Sequence, residues 1–153
     1  MKIFKDYMTK VLEIICIIFF VFITIIGTYQ IITRYVFNDP STISEELLTY
    51  SFTWLSLLSA SLVFGKKDHM RMGYFADKFN EKNQKRLALF SEILVLVFSA
   101  AVLIYGGIAI TSLTATQVTA SLGVPMSYVY IILPISGVIT IIYNIINIIE
   151  LIK

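Results

Sequence analysis

Long stretches without a charged residue constrain this chain more than any other feature of its sequence. Residues 14–33 and 47–65 carry no charge over twenty and nineteen positions, and residues 93–149 carry none over fifty-seven. A helix that crosses a membrane needs about 20 mostly apolar residues, because roughly 30 Å of hydrocarbon is divided by about 1.5 Å per residue. The first two stretches therefore predict one spanning helix each, and the third is too long for one.

A polar break divides the third stretch. Residues 114–125 are small or polar and end in a proline, which leaves spans at 93–113 and 126–149. The spans must be helices, because lipid cannot satisfy the backbone of an open sheet edge and no ten-residue alternation indicates a barrel. The sequence predicts an all-α integral membrane protein with four transmembrane helices, forming a single membrane domain over residues 1–153.

Composition excludes several other classes of protein. Hydrophobic types make up 58% of the residues and charged types 14%, against about 45–50% and about 25% in soluble domains. The net charge of +2 gives no reason to expect nucleic acid as a partner. Cys16 and His69 are the sole residues of their types, which excludes an internal disulfide, a thiol pair and a haem held by two histidines of this chain.

The distribution of positive charge predicts the orientation. Eleven of the twelve Lys and Arg residues lie in the N-terminal segment, in residues 66–92 and at the C-terminus, and only Arg34 lies elsewhere. Those three segments share one side of a four-span protein, and the positive-inside rule places them in the cytoplasm. The outer loops are then 34–46 and 114–125. The first apolar run exceeds the about 7–15 residues of a signal peptide, so we expect a retained anchor.

An amphipathic pattern follows the second span. Met72, Phe75, Ala76 and Phe79 recur at helical spacing among charged residues. This pattern predicts, within residues 69–86, a cytoplasmic helix lying on the membrane surface. The alternative is a short solvated linker helix.

Local signals predict where two of the spans begin. Thr42 and Glu45 have the spacing of a capping box that opens the second helix. Pro125 suits the first turn of the fourth helix, and Pro134 lies inside that helix, where a kink can be tolerated.

No ionisable residue lies near the middle of any span. Glu13, Glu92 and Glu150 lie at the inner ends, where a carboxylate is expected to be an interfacial anchor or a member of an ion pair. Ion and proton pathways usually contain ionisable residues within the membrane, and half-length broken helices are also missing. We therefore predict no catalytic, cofactor-binding or metal-binding residue, and no independent ion transport.

Small and polar residues of the second span predict a close helix contact. Thr49, Thr53, Ser56 and Ala60 follow helical spacing, and such residues let membrane helices approach closely. Trp54 lies roughly 10 Å beyond the start of the span, which is deep for an aromatic belt residue. It is predicted to pack against its own bundle or against a partner.

Further contacts are predicted from isolated residues. Ser99 and its two following alanines, with the pair Gly106 and Gly107, predict another close contact on the third span. Cys16 is expected to pack as a small apolar residue.

Arg34 is the one basic residue on the outer side. It is predicted to form a local ion pair with Asp39, Glu45 or Glu46; the alternative is contact with another subunit.

The order of these features resembles the small membrane subunit of tripartite ATP-independent periplasmic (TRAP) transporters, the DctQ-like family. The likeness covers about residues 12–149. The residues that carry it are Arg34-Tyr-Val-Phe37, Ser44-Glu45-Glu46, Trp54, the run from Gly65 to Met72, Asp77, Arg86, Leu122-Gly-Val-Pro125, Tyr128-Val-Tyr130 and Pro134.

The resemblance implies an accessory subunit in the inner membrane of a bacterium. In such importers a periplasmic solute-binding protein captures a carboxylate solute, and a large permease subunit moves it with a sodium gradient. The small subunit would be a scaffold for the large subunit and would help to dock the binding protein. No cofactor is expected in this chain; sodium is expected at the large subunit. Its expected partners are therefore these two proteins and membrane lipids.

The resemblance and the residue pattern together nominate two surfaces. The residues expected at the interface with the large subunit are Trp54, Ser56, Ala60, Arg34, Glu45 and Glu46. The residues expected to dock the binding protein are Asp39, Pro40, Ser41, Gly123 and Pro125.

Two other functions stay open at this point. A small dimeric multidrug-type exporter needs a carboxylate inside the first span, and Glu13 lies only at its edge. A membrane redox or haem subunit is the second alternative.

Overall fold

The computed structural model describes residues 2–66 and 81–152. These residues form helices joined by short turns, and the described part contains no β-strand. The elements are α1 (Lys2–Tyr35), α2 (Thr42–Lys66), α3 (Glu81–Phe98), a π-helical segment (Ser99–Gly106), α4 (Gly107–Leu113), α5 (Ser127–Tyr130) and α6 (Ile132–Ile152).

Four helical stretches of the described residues are long and apolar enough to cross a membrane, which confirms the predicted all-α fold. The first two spans are α1 and α2. The third span runs through α3, the π-helical segment and α4, and the fourth runs through α5 and α6. The surface helix between the second and third spans was predicted within residues 69–86. Residues 69–80 of that range, with His69, lie outside the described residues, and residues 81–86 belong to α3.

The first and third spans are longer than their apolar cores. The helix α1 begins twelve residues before the predicted start at residue 14, and its 34 residues rise about 51 Å. The helix α3 likewise begins at Glu81 rather than at residue 93. The charged residues of these extensions are compatible with a helix. The helical backbone therefore continues beyond the point at which the apolar pattern stops.

The interior is polar and the exterior is apolar. Five apolar side chains are buried among the described residues, against ten polar ones. Large apolar side chains such as Phe20, Ile25 and Val97 are exposed on the outer faces. This is the arrangement expected of helices whose surroundings are lipid, where close packing and interhelical hydrogen bonds replace the hydrophobic effect as the cause of association.

The fourth span is the centre of the bundle. Of its apolar stretch 39% is buried, against 11–17% in the other three, and α6 contacts α2, α3 and the π-helical segment. Glycines allow the closest approaches. A Cβ at Gly107 would lie 2.9 Å from the Leu133 Cβ and the Pro134 Cδ, and a Cβ at Gly137 would lie 2.9 Å from the Leu103 Cβ.

The predicted close contact on the third span is thus confirmed at Gly107. At Gly106 it is absent, because a Cβ there would meet only the Ala101 carbonyl oxygen at 3.8 Å. The π-helical turns were not predicted. They occupy the middle of the third span, where completely buried Ser99 begins the segment.

Two predicted helix starts were wrong by one or two residues. Thr42 is the first residue of α2, and Ser41 caps it: the Ser44 amide donates to the Ser41 Oγ at 3.4 Å, and the Ser44 hydroxyl donates to the Ser41 carbonyl at 2.8 Å. Two adjacent hydroxyl residues offer the same capping chemistry, so the sequence does not distinguish them. Pro125 precedes α5, whose N-cap is Met126, because Pro125 pairs with Val118 in an isolated β-bridge.

The fourth span is interrupted at Ile131, between α5 and α6. Pro134 has no N–H to donate to the Tyr130 carbonyl, and its ring crowds that group. The interruption therefore lies near the start of the fourth span rather than in its middle.

Candidate partner-binding surfaces

The two ends of the bundle carry different chemistry. We call the end with the start of α1 and the finish of α6 the terminal end, and the end with residues 36–41 and 114–126 the loop end. Ion pairs between Lys5 and Glu150 and between Lys66 and Glu13 lie at the terminal end. The two turns that join neighbouring spans lie at the loop end.

The outer face of α2 carries small residues beside the large exposed side chain of Phe52. Thr49, Thr53, Ser56 and Ala60 are all exposed. The hydroxyls of Thr49 and Thr53 donate to carbonyls of their own helix at 2.9 and 3.0 Å, so they need no partner from outside. Since these side chains neither protrude nor demand hydrogen bonds, another helix could approach this face closely.

Trp54 packs within the bundle. Its ring stacks on that of Phe19 with centroids 6.0 Å apart and an interplanar angle of 24°, next to the buried residues Leu12 and Leu58. The first of the two predicted settings, its own bundle, is thus the one the structure shows. A contact of its exposed part with a partner stays a prediction.

The predicted ion pair of Arg34 was wrong. Arg34 is exposed, its guanidinium carbon lies 6.0 Å above the centre of the Tyr35 ring, and the ion pairs seen within residues 2–66 and 81–152 do not include it. Glu45 is exposed as well. Neighbouring positions of a helix face different directions. Glu46, the residue after Glu45, therefore points across the bundle instead of toward Arg34.

Glu46 joins the two outer segments. Its Oε1 accepts the Ser121 amide at 3.1 Å, and its Oε2 accepts the Leu122 amide at 2.9 Å. Two consecutive backbone N–H groups that face one carboxylate form a small anion-binding concavity. The half-buried carboxylate thereby holds the second outer loop against α2.

The second outer loop is a closed hairpin. The Thr119 amide donates to the Val124 carbonyl at 2.9 Å, the Val124 amide to the Thr119 Oγ1 at 3.2 Å, and the Met126 amide to the Gln117 carbonyl at 2.8 Å. Gly123 lies at its tip with a φ of 65°, a conformation that side chains with a Cβ rarely adopt. We call residues 117–126 the outer hairpin, after the side of the membrane that is predicted for it.

The residues nominated for docking all lie at the loop end. Asp39 and Pro40 are exposed and Ser41 is half-buried; the three line an open depression of about 630 Å³ together with Tyr29 and Phe37. In the outer hairpin Gly123 is exposed and Pro125 is half-buried. The structure links the two groups through Glu46, which the sequence could not distinguish from Glu45.

A polar network at the terminal end had not been predicted. Asn147 accepts a hydrogen bond from the Lys5 Nζ at 2.8 Å and donates to the Phe64 carbonyl at 3.0 Å, so one buried amide joins three spans. Asn144 donates to the Glu92 Oε2 at 2.8 Å and brings in the third span. The sequence did contain a signal for this network: two asparagines, three positions apart, lie on one face of an otherwise apolar helix.

An anchoring or ion-pair role was expected for Glu13, Glu92 and Glu150, and the structure shows ion pairs for two of them. Glu13 pairs with Lys66 at 2.6 Å, and Glu150 with Lys5 at 3.7 Å. Both pairs cross between spans instead of joining neighbours in sequence.

Deeper in the bundle the links are hydroxyls. Thr140 donates to the Ser61 Oγ at 3.0 Å, and Ser61 contacts the Leu57 and Ser136 carbonyls. In the part of the chain that the structure describes, no group of three or more His, Cys, Asp or Glu residues could hold a metal ion.

Comparisons with known proteins give a consistent result. Residues 23–153 match the family model described as tripartite ATP-independent periplasmic transporters, DctQ component. The sialic acid TRAP transporter small permease protein SiaQ of Vibrio cholerae is 30% identical over 138 residues, which cover 90% of this chain and 79% of that protein.

Two further relatives come from Haemophilus influenzae. A putative TRAP transporter small permease protein is 29% identical over 97 residues, covering 63% of this chain and 60% of that protein. The sialic acid TRAP transporter permease protein SiaT is 28% identical over 119 residues; the match covers 76% of this chain but 19% of SiaT.

Proposed function

This chain belongs to the DctQ family of TRAP transporter small permease subunits, and from that premise we propose that it is the scaffold subunit of a sodium-coupled importer for carboxylate solutes. A protein of this family is a multi-pass membrane transporter subunit and not an enzyme, and TRAP small permeases work with a large M-type permease. The names of SiaQ and SiaT favour sialic acid as the solute.

The distribution of polar groups supports the scaffold role. The charged residues that make contacts between segments lie at the two ends of the bundle, and the deeper links are made by hydroxyls. Hydrogen bonds between spans hold helices in place, whereas a path for sodium would need ionisable or unwound elements within the membrane. The bundle is therefore suited to bracing a moving subunit, not to moving the solute itself.

Reconstitution tests this role directly. Proteoliposomes with a sodium gradient would contain the large subunit with this chain, the large subunit alone, or this chain alone, each with the binding protein and labelled sialic acid. We expect uptake only from the first preparation. Full uptake by the large subunit alone would contradict the scaffold role, and uptake by this chain alone would show that it is a transporter by itself.

We place the large subunit on the outer face of α2. The exposed faces of the first and third spans carry mainly bulky apolar side chains suited to lipid, whereas that of α2 combines four small residues with bulkier ones such as Phe52. The match covers about a fifth of SiaT, so a segment similar to this chain forms part of that longer permease. This supports close association of the small and large subunits.

Replacing Ala60 with leucine should reduce co-purification with the large subunit at least several-fold, because the longer side chain holds the two helices apart. The bundle itself should keep its thermal stability, since Ala60 is exposed. Ala109→Leu is the matched control: it adds the same group at an exposed position of the third span and should leave co-purification unchanged. Equal recovery of both variants would remove the α2 face from the interface.

We also propose that the chain lies in the inner membrane with both termini in the cytoplasm. The terminal end carries the excess of Lys and Arg, which the positive-inside rule places there. The loop end then faces the periplasm, where Asp39, Pro40, Ser41, Gly123 and Pro125 would help to dock the binding protein. A binding protein that bound the terminal end would contradict both the orientation and the docking role.

A further inference from the structure

The two adjacent acids at the start of α2 have different surroundings. Glu45 is exposed, whereas Glu46 is half-buried and contacts the outer hairpin through both carboxylate oxygens, at 3.1 and 2.9 Å. Its partners are 75 and 76 residues away in the sequence. Glu46 therefore makes a tertiary contact that Glu45, with the same charge and the same helix, does not make.

The Glu46 contact holds a loop that makes few other side-chain hydrogen bonds with α2. The outer hairpin is closed by its own backbone hydrogen bonds, and the other side-chain hydrogen bond from α2 to this segment runs from the Tyr50 hydroxyl to the Met126 Sδ at 3.8 Å. A hydroxyl–sulfur contact is weak, whereas hydrogen bonds to a carboxylate are about twice as strong as neutral ones. Glu46 is thus the main polar tie that sets where the hairpin lies.

We infer that Glu46 is a positioning residue: its carboxylate fixes the outer hairpin relative to Asp39, Pro40 and Ser41, so that the two outer segments present one preformed surface to the binding protein. The inference rests on the proposed docking function. A preformed surface binds more tightly because the cost of ordering a loop is not incurred on association.

Glu46→Gln tests the inference, with Asp6→Asn as the control. Both variants remove one negative charge, and Asp6 is exposed on α1 at the terminal end, away from both proposed surfaces. Glutamine at 46 keeps the size but offers one acceptor oxygen, and its NH₂ group would face a backbone N–H donor. Each variant would be studied in the full complex with the large subunit, in lipid nanodiscs.

Two quantities would be measured. Hydrogen–deuterium exchange of the peptide that spans the outer hairpin reports its opening, and equilibrium binding of the periplasmic protein reports docking. For Glu46→Gln we expect faster exchange at the Ser121 and Leu122 amides and binding weaker by about tenfold, the loss of about one charge-assisted hydrogen bond. For Asp6→Asn we expect neither change.

Several results would overturn the inference. Unchanged exchange in Glu46→Gln would show that the carboxylate does not hold the hairpin, and faster exchange with unchanged binding would show that its position does not matter for docking. If Glu46→Gln fails to assemble, Glu46→Asp keeps the charge on a shorter side chain; it should show an intermediate gain in exchange and an intermediate loss of binding, and wild-type values would count against the inference.

A surface variant separates this inference from the docking role itself. Val124 is 40% exposed in the outer hairpin, so Val124→Glu changes the surface without touching the carboxylate. If it weakens binding while Glu46→Gln does not, docking at the hairpin stands and the positioning role falls. If neither variant weakens binding, the docking role fails too.

Discussion

Replacing Gly107 with alanine should destabilise the bundle by about 1–3 kcal/mol, the usual cost of inserting a methyl group into a packed interior. The added Cβ would lie 2.9 Å from the Leu133 Cβ and the Pro134 Cδ, and 3.0 Å from the Pro134 backbone nitrogen. None of these atoms is the end of a flexible side chain, so the third and fourth spans must move apart. The measurement is the midpoint of thermal unfolding in detergent, which should fall by several degrees.

Gly106→Ala is the control for this prediction. It is the preceding residue in the same helical stretch, and a Cβ there would meet nothing closer than the Ala101 carbonyl oxygen at 3.8 Å. Alanine also favours helix over glycine by up to about 1 kcal/mol, so its midpoint should stay equal or rise. Equal destabilisation by both changes would show that the spans do not pack at Gly107 as described.

Asn147→Ala should have an effect of comparable size, about 1–3 kcal/mol, by removing a buried amide that holds three spans together. The side chain is 1% exposed, and it contacts Lys5 and Phe64 from the fourth span. Without it the Lys5 ammonium keeps Glu150 at 3.7 Å, a partly exposed pair of the kind that contributes little. Thermal unfolding of the purified subunit measures the loss.

A second asparagine serves as the reference for this change. Asn83 is exposed on α3, so Asn83→Ala should leave the unfolding midpoint within about a degree of wild type. If the scaffold role is right, Asn147→Ala should also lower sodium-driven uptake in the reconstituted complex, because a loosened bundle braces the large subunit less well. An Asn147→Ala protein as stable as Asn83→Ala would show that the network at the terminal end does not hold the spans together.

The sequence predicted some features of the candidate surfaces and missed others for a common reason. The exposure of the small residues on α2 followed from their helical spacing, whereas the residues nominated for docking came from the family resemblance. The pairing of Arg34, and the roles of Glu46 and Asn147, depended on the direction in which each side chain leaves its helix. The observed ion pairs likewise join residues far apart in the sequence, Glu13 with Lys66 and Glu150 with Lys5.

The helix ends also include features that the sequence predicted and features that it did not. The apolar stretch of the first span was predicted well, but α1 begins at Lys2 because helical hydrogen bonding is indifferent to where the hydrocarbon stops. The π-helical turns from Ser99 to Gly106 had no sequence signal beyond small residues. They accompany the close approach of two spans at Gly107 and Gly137, which involves both partners.

The number of spans, their helical nature and the family were determined by the sequence alone. Each depends on contiguous segments, because the free energy of placing a helix in lipid is close to a sum over its own residues. The tertiary structure decided which residues hold the bundle together and which face outward. Those outcomes depend on how helices far apart in the chain rotate and pack against one another, as when Lys5 meets Asn147 across 142 positions.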